Sequence, residues 1–195
     1  MRLISMGLLV MFSVAKLNAS ERMEVSICNL GNLPEYLVER AETEASYVFQ
    51  SMDVEVVWLG CLSLSEGDRT AGTPRFIIRL RTDFTPTTAG SLSLHAMGLA
   101  FVSPSREGYL ADVYYRAIQA LSKRSQAEES WLIGCTMAHE LGHLLLGPGH
   151  RVGGIMTARW GERETLAIAQ RSLGFDREDR LRIQSKLEML GRPRP

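Results

Sequence analysis

The segment HELGHLLLGPGH, residues 139–150, constrains the fold more than any other part of the chain, because it concentrates three histidines and a glutamate. His139 and His143 are four residues apart, so on a helix both side chains leave the same face. Two imidazoles at this spacing can bind one zinc ion through nitrogens about 2.0–2.1 Å away. The surrounding leucines make this helix too apolar to bury imidazoles and a carboxylate unless something satisfies them. The segment therefore predicts a zinc site on a buried helix.

The residue after the first histidine and the third metal ligand determine what such a site can do. Glu140 is rotated off the ligand axis, where its carboxylate can act as a general base on a metal-bound water without occupying the metal. Local spacing makes His150 the best candidate for the third ligand, and Glu162, Glu164 and His95 remain open as alternatives. Three protein ligands leave one tetrahedral position free, as in catalytic rather than structural zinc sites.

Hydrophobic periodicity predicts a single α+β domain with a mixed sheet. Strands are expected over residues 24–30, 54–59, 76–80, 98–102 and 108–115. Helices are expected over residues 34–52, 116–122, 125–146, 162–171 and 176–190. The first strand, helix and strand form a unit whose two strands should be parallel neighbours. The long helix carries the zinc motif, and the last two helices form a short C-terminal helical subdomain.

Turn signals mark both ends of the long helix. Ser125 with Glu128 three residues later fits a capping box, which predicts the N-terminus of the helix at Ser125. Gly147 predicts its end, because glycine adopts a positive φ at little cost and Pro148 cannot extend the helix. The chain should therefore reverse just before His150.

The N-terminus has the features of a secretory signal peptide. Arg2 precedes an apolar run over residues 3–14, and Ala19 ends a tolerable cleavage site. We expect residues 1–19 to be removed and residues 20–195 to form one catalytic domain that is secreted or periplasmic and monomeric. The apolar run is shorter than the roughly 20 residues that a membrane span needs, so we expect no stable membrane anchor after cleavage.

The charge balance limits the partners that the chain can bind. There are 22 basic and 22 acidic residues, and the longest basic runs are short. A polyanion-binding surface needs a larger basic cluster than Lys123 and Arg124 provide. The sequence therefore gives no reason to expect a nucleic-acid partner.

The three cysteines allow at most one internal disulfide bond. Cys28 and Cys61 are the better pair, because they lie near two strands that should be neighbours. Three buried free thiols remain an open alternative. Cys135 falls on the zinc helix four residues before His139, and we expect it to be a buried small residue rather than a ligand.

The motif resembles the zinc motif of the metzincin metallopeptidases. The matching residues are His139, Glu140, His143, Gly147 and His150, with one more residue between the second histidine and the glycine than the family pattern has. Residues 154–156 resemble the family's Met-turn, and the strand over 98–102 is similar to its substrate-binding edge strand. Residues 137–160 also resemble a group of uncharacterised secreted bacterial proteins with a metzincin-like motif.

This resemblance implies a zincin-like fold, a Zn²⁺ cofactor and peptide or protein substrates. Met156 would form an apolar floor beneath the ligands, although an ordinary core methionine is an alternative. An extended substrate would pair with the edge strand, which could equally be plain core: Leu99, Ala100, Phe101 and Val102. The candidates for an oxyanion donor are Tyr109, Tyr114 and Tyr115.

Three functions are compatible with these residues. The first is a secreted zinc-dependent endopeptidase in which Glu140 assists a zinc-bound water. The second is a non-catalytic secreted protein stapled by zinc, with a fourth protein ligand from Glu162, Glu164 or Cys135. The third is a peptide-binding module of peptidase-like fold. Glu140 favours the first, because neither of the others needs a carboxylate at that position.

Overall fold

The computed structural model describes residues 21–61, 73–83 and 96–192. The signal peptide expected over residues 1–19 and the alternative ligand His95 lie outside these described residues. The removal of the signal and the extent of the catalytic domain therefore remain predictions.

The described chain contains five strands and five helices, and four successive strands are followed by four successive helices, as is typical of an α+β domain. The elements up to residue 114 are β1 (Glu21–Asn29), α1 (Glu35–Gln50), β2 (Val54–Gly60), β3 (Arg75–Arg81), β4 (Gly98–Phe101) and β5 (Leu110–Tyr114). The remaining elements are α2 (Tyr115–Ser122), α3 (Glu129–Leu146), α4 (Glu162–Ala169) and α5 (Arg177–Gly191). Val102 lies just beyond β4, so the edge strand is one residue shorter than expected.

The five strands form one mixed sheet in the order β2-β1-β3-β5-β4. β1 pairs in parallel with both β2 and β3, and β3 pairs in parallel with β5. β4 alone runs antiparallel, against β5, and occupies the edge of the sheet. The prediction of a mixed sheet is confirmed, and its one antiparallel strand lies at an edge.

The core lies between the sheet and the pair of helices α1 and α3. β3 shows why, because its side chains alternate and Phe76, Ile78 and Leu80 are buried within one apolar cluster that includes both helices. Gly134 lets α3 approach α1 closely, since a Cβ there would lie 2.6 Å from the carbonyl oxygen of Ala41. This packing leaves α3 buried along residues 132–146.

The start of α3 differs from the capping-box prediction, which is wrong. The helix begins at Glu129, and Glu128 precedes it without a side-chain cap. The Ser125 hydroxyl accepts a hydrogen bond from the N–H of Ala127, and the Ser125 N–H donates to the carbonyl of Ser122. Ser125 therefore belongs to the turn that closes α2, which competes with its use as a helix cap.

A disulfide bond joins Cys28 and Cys61, at the C-terminal ends of the parallel neighbours β1 and β2. Cys135 is a buried free thiol on α3. Both findings agree with the pairing favoured by the sequence. Within the described ranges, we find no helix that combines the length and the apolar character needed to cross a membrane.

Candidate metal centre

Three histidines converge where the long helix ends and the chain turns back. His139 and His143 project from the last two turns of α3, and His150 follows in the next loop. One ring nitrogen from each lies within 4.8 Å of the others, and no cysteine or carboxylate among the described residues joins this group. The sequence therefore identified all three members of the cluster.

Backbone carbonyls determine which ring nitrogens face the centre of this cluster. Nδ1 of His139 donates to the carbonyl oxygen of Ile155 at 2.6 Å, and Nδ1 of His143 donates to that of Gly147 at 3.4 Å. A carbonyl only accepts, so each Nδ1 carries the ring proton and each Nε2 keeps its lone pair. The two Nε2 atoms lie 3.0 Å apart without a proton between them. Two facing lone pairs in a buried site fit a bound cation, and this donor set is one that zinc prefers.

Burial keeps these imidazoles in the form that binds metal. Desolvation, together with the neighbouring His143, lowers the pKa of His139 to about 3. Burial also lowers the pKa of His143. It lowers the pKa of His150 as well, although this residue is less buried. Because a metal ligand must be a neutral imidazole, no proton has to be displaced from these rings near neutral pH.

Two glycines allow the chain to reverse direction after α3, which brings His150 close to the other two histidines. Gly147 has φ 87° and Gly149 has φ 113°, conformations that other residues rarely adopt. α3 ends at Leu146, and this glycine-rich turn follows it directly. After the turn, the N–H of Arg151 donates to the carbonyl of Met156 at 2.9 Å.

A buried carboxylate on α5 fixes the segment just after His150. The Arg151 guanidinium pairs with Asp179 at 3.1 Å, and Asp179 is only 1% exposed. Asp179 also pairs with Arg182 one turn further along α5, at 3.5 Å. The C-terminal helical part therefore anchors the loop that presents His150.

Glu140 lies beneath the edge strand, on the side of the helix next to the histidines. Its carboxylate accepts a hydrogen bond from the backbone N–H of Ala100, and burial raises its pKa to about 8. Gly98 provides the space, because a Cβ at that position would lie 2.7 Å from both Cγ and Cδ of Glu140. β4 therefore both holds and accommodates the carboxylate.

Met156 is buried under the same part of α3. A Cβ on Gly142 would lie 2.6 Å from its sulfur, so the thioether packs directly against the helix between the two histidines. Residues 154–157 form a tight turn, in which the Thr157 N–H donates to the Gly154 carbonyl at 3.3 Å. This position is the one expected of an apolar floor, although its equivalence to the Met-turn stays a prediction.

An open cleft of about 690 Å³ lies above the histidines and is bordered by β4 on one side. Its size falls in the range typical of ligand sites. Trp160 is largely buried, yet it also lines the cleft, and its ring meets that of His139 edge-on with 6.0 Å between centroids. α2 contributes three more lining residues, Ala117, Ala120 and Leu121, and Arg124 lines the cleft just after this helix ends.

The alternative ligands proposed from the sequence have other roles where they are described. Glu164 accepts a hydrogen bond from the Gly161 N–H at the start of α4, at 2.9 Å, and Glu162 is exposed outside the cluster. Burial raises the pKa of the Cys135 thiol, and the nearby Glu44 on α1 raises it further. These surroundings match a buried apolar residue and not a metal ligand.

The three tyrosines proposed as oxyanion donors are not among the described residues that line the cleft. Tyr109 is exposed, and the Tyr115 hydroxyl donates to Glu129 at 2.8 Å. Tyr114 is buried, and desolvation, with the Asp112 charge adding to it, raises its pKa to about 12. The structure gives none of them a place beside the histidines.

Sequence reasoning missed the contribution of α2 and the importance of Gly98. The lining residues of α2 recur at positions i, i+3 and i+4, which is one helical face. That spacing was visible in the sequence, but it is equally typical of a core-facing helix. The contact of Gly98 with Glu140 joins residues more than forty positions apart and has no local signal.

Comparisons with known proteins identify the fold. No family model matches the chain, and no curated protein matches its sequence. The chain is similar in structure to a zinc-dependent peptidase from Methanocorpusculum labreanum, with a TM-score of 0.53, 19% identity, and coverage of 83% of this chain and 99% of that one. It is also similar to archaemetzincin from Methanopyrus kandleri, with a TM-score of 0.50, 18% identity, and coverage of 90% and 99%. The chain therefore has the α+β fold found in zinc-dependent peptidases.

Proposed function

We propose that this protein is a zinc-dependent endopeptidase. The observation that carries the proposal is the convergence of three neutral imidazoles beside a buried carboxylate, at the base of an open cleft and under a free sheet edge. His139, His143 and His150 would hold the metal. Its fold, shared with zinc-dependent peptidases, supports the same reaction class.

The residues divide the chemistry between them. When bound, zinc polarises the scissile carbonyl and lowers the pKa of water at the site. Glu140 accepts the proton of the attacking water and passes it to the departing amine, as a general base that then acts as a general acid. The carbonyls of Ile155 and Gly147 keep the two helix imidazoles correctly oriented through both steps.

The edge strand offers a backbone surface on which an extended substrate would pair. The backbone N–H of Tyr114 donates to the Met97 carbonyl. Hydrogen-bonding groups alternate in an antiparallel ladder, so the backbone groups of Leu99 and Phe101 also face β5. The backbone groups of Gly98 and Ala100 therefore point away from β5, and because the Ala100 N–H already donates to Glu140, the Ala100 carbonyl and the Gly98 groups remain for a substrate. A substrate strand added there lies over Glu140, and its peptide bonds come within reach of the carboxylate.

We further propose that the protein is exported. The signal-like N-terminus supports this, and so does the disulfide bond between Cys28 and Cys61, since disulfides persist in oxidising compartments. Cleavage after Ala19 would be checked by N-terminal sequencing of the mature protein.

Metal analysis combined with cleavage of a mixed peptide library tests the proposed function. We expect one zinc per chain and cleavage that a chelator abolishes and added zinc restores. A protein that holds one zinc and cuts no peptide would instead favour the non-catalytic or peptide-binding alternatives. A zinc ion that only staples the fold needs a fourth protein ligand in place of an exchangeable water. X-ray absorption at the zinc edge would show this fourth ligand.

Gly98→Ala should impair turnover without removing zinc. The new Cβ must displace the Glu140 side chain, because the three atoms nearest to it all belong to Glu140 and none belongs to a histidine. Misplacing a catalytic group by about 1 Å can cost on the order of 10²-fold in rate. We expect kcat to fall by about 10- to 100-fold, with little change in KM and a full complement of zinc.

Gly60→Ala is the matched control, because it is also a strand glycine and a Cβ there meets nothing within 4 Å. We expect wild-type kinetics from it. A Gly98→Ala protein with wild-type kcat would show that Glu140 does not depend on β4 for its position.

A further inference from the structure

The charges that reach the cleft are unusually one-sided. Two arginines line it, Arg124 after the end of α2 and Arg159 in the loop before α4. Glu140 is the only carboxylate among the described lining residues, and it is buried under β4 and hydrogen-bonded to Ala100.

Neither arginine forms an ion pair with a described carboxylate. Arg124 uses its Nε to donate to the Ala120 carbonyl at 2.9 Å, which leaves the other guanidinium nitrogens without a protein acceptor in the described chain. Elsewhere in the fold, arginines are commonly neutralised, as in the pairs of Arg75 with Glu24 and Arg79 with Asp112. The cleft therefore carries two guanidinium groups that no described carboxylate neutralises and that can bind a ligand.

We propose that the cleft selects peptides that carry a carboxylate next to the scissile bond, and that Arg124 and Arg159 determine this preference. The inference rests on the proposed peptidase function. Guanidinium groups bind carboxylates with paired, charge-assisted hydrogen bonds, which gives them both affinity and geometric selectivity. A cleft with one sign of charge also attracts oppositely charged ligands before contact.

The carboxylate has two chemical sources, an aspartate or glutamate side chain and a free peptide C-terminus. Matched peptides separate them. In the first pair both peptides are amidated at the C-terminus, and one contains Asp or Glu where the other contains Asn or Gln. In the second pair both peptides have neutral side chains, and one has a free C-terminus where the other is amidated. Cleavage is followed by fluorescence dequenching, and binding to zinc-loaded Glu140→Gln protein is followed by fluorescence anisotropy.

We expect the wild-type protein to favour one of the two carboxylate-bearing peptides by about 10-fold in kcat/KM, an effect on the scale of one charge-assisted hydrogen bond. Arg124→Gln and Arg159→Gln should each reduce the preference, and the double variant should abolish it. High ionic strength should weaken it as well. Arg177→Gln is the matched control, since Arg177 is exposed on α5, makes no described ion pair and does not line the cleft.

The outcomes separate this inference from the proposed function. Equal cleavage of the charged and neutral peptides would overturn the inference and leave the peptidase function standing, and so would a preference that survives in the double variant. If no peptide is cut, the peptidase function fails. In that case, tighter binding of the carboxylate-bearing peptides in the anisotropy measurement, lost in the double variant, would still support the role of the two arginines. Equal binding of the charged and neutral peptides would overturn that role.

Discussion

Glu140→Gln should abolish most of the peptidase activity while the protein keeps its zinc. General acid–base catalysis contributes on the order of 10²–10⁴-fold to a hydrolytic rate, so we expect kcat to fall within that range. The amide is nearly isosteric with the carboxylate, and its oxygen can still accept the hydrogen bond from the Ala100 N–H. The substitution therefore removes the proton acceptor but leaves the cavity filled and the edge strand supported.

The control is the same substitution at another buried glutamate. Glu44 on α1 is 3% exposed at its side chain and pairs with Arg171 at 3.2 Å, and neither residue lines the cleft. Glu44→Gln should lower the free energy of unfolding through loss of this partly exposed ion pair, and it should leave kcat unchanged. Zinc content and thermal unfolding are measured for both variants. Wild-type turnover by zinc-loaded Glu140→Gln would contradict the role of Glu140 as the proton acceptor.

Much of the fold could be predicted because its elements have strong local signals. The helical spacing of apolar residues in α1 and the apolar run over residues 76–80 are strong local signals, and the structure places both elements within two residues of the expected bounds. The start of α3 could not be predicted as well, since Ser125 fits either a helix cap or the turn that closes α2. The choice between them depends on how α2 and α3 pack, which no short segment encodes.

The candidate site shows the same division between local and long-range information. His139, Glu140 and His143 follow from helical geometry alone, because their spacing fixes their relative directions. His150 depends on the φ angles of Gly147 and Gly149, which the sequence permits but does not specify. The space that Gly98 leaves for Glu140 depends on the strand order, since β4 has to lie at the sheet edge beside α3. The meeting of the two arginines at one cleft is likewise a long-range feature.

The position of His150 leads to the second large effect, which is on zinc affinity. His150→Ala removes one of three candidate ligands, so the loss should exceed the 10- to 100-fold that follows from altering an outer partner of a ligand. The side chain is exposed in the loop, so its truncation creates no cavity in the core. We expect the metal-free variant to unfold at the wild-type temperature, and the zinc-induced rise in Tm to shrink, because a ligand stabilises the folded state according to its affinity.

His95→Ala is the matched control, since it makes the same substitution at the histidine that the sequence left open as a third ligand. Zinc affinity is measured for both variants by competition with a chromophoric chelator, together with the cleavage of a peptide that the wild-type protein cuts. His95→Ala should bind zinc and cut the peptide normally, whereas His150→Ala should lose both. The reverse pattern would remove His150 from the metal centre, and the loop that Arg151 and Asp179 anchor would then need another explanation.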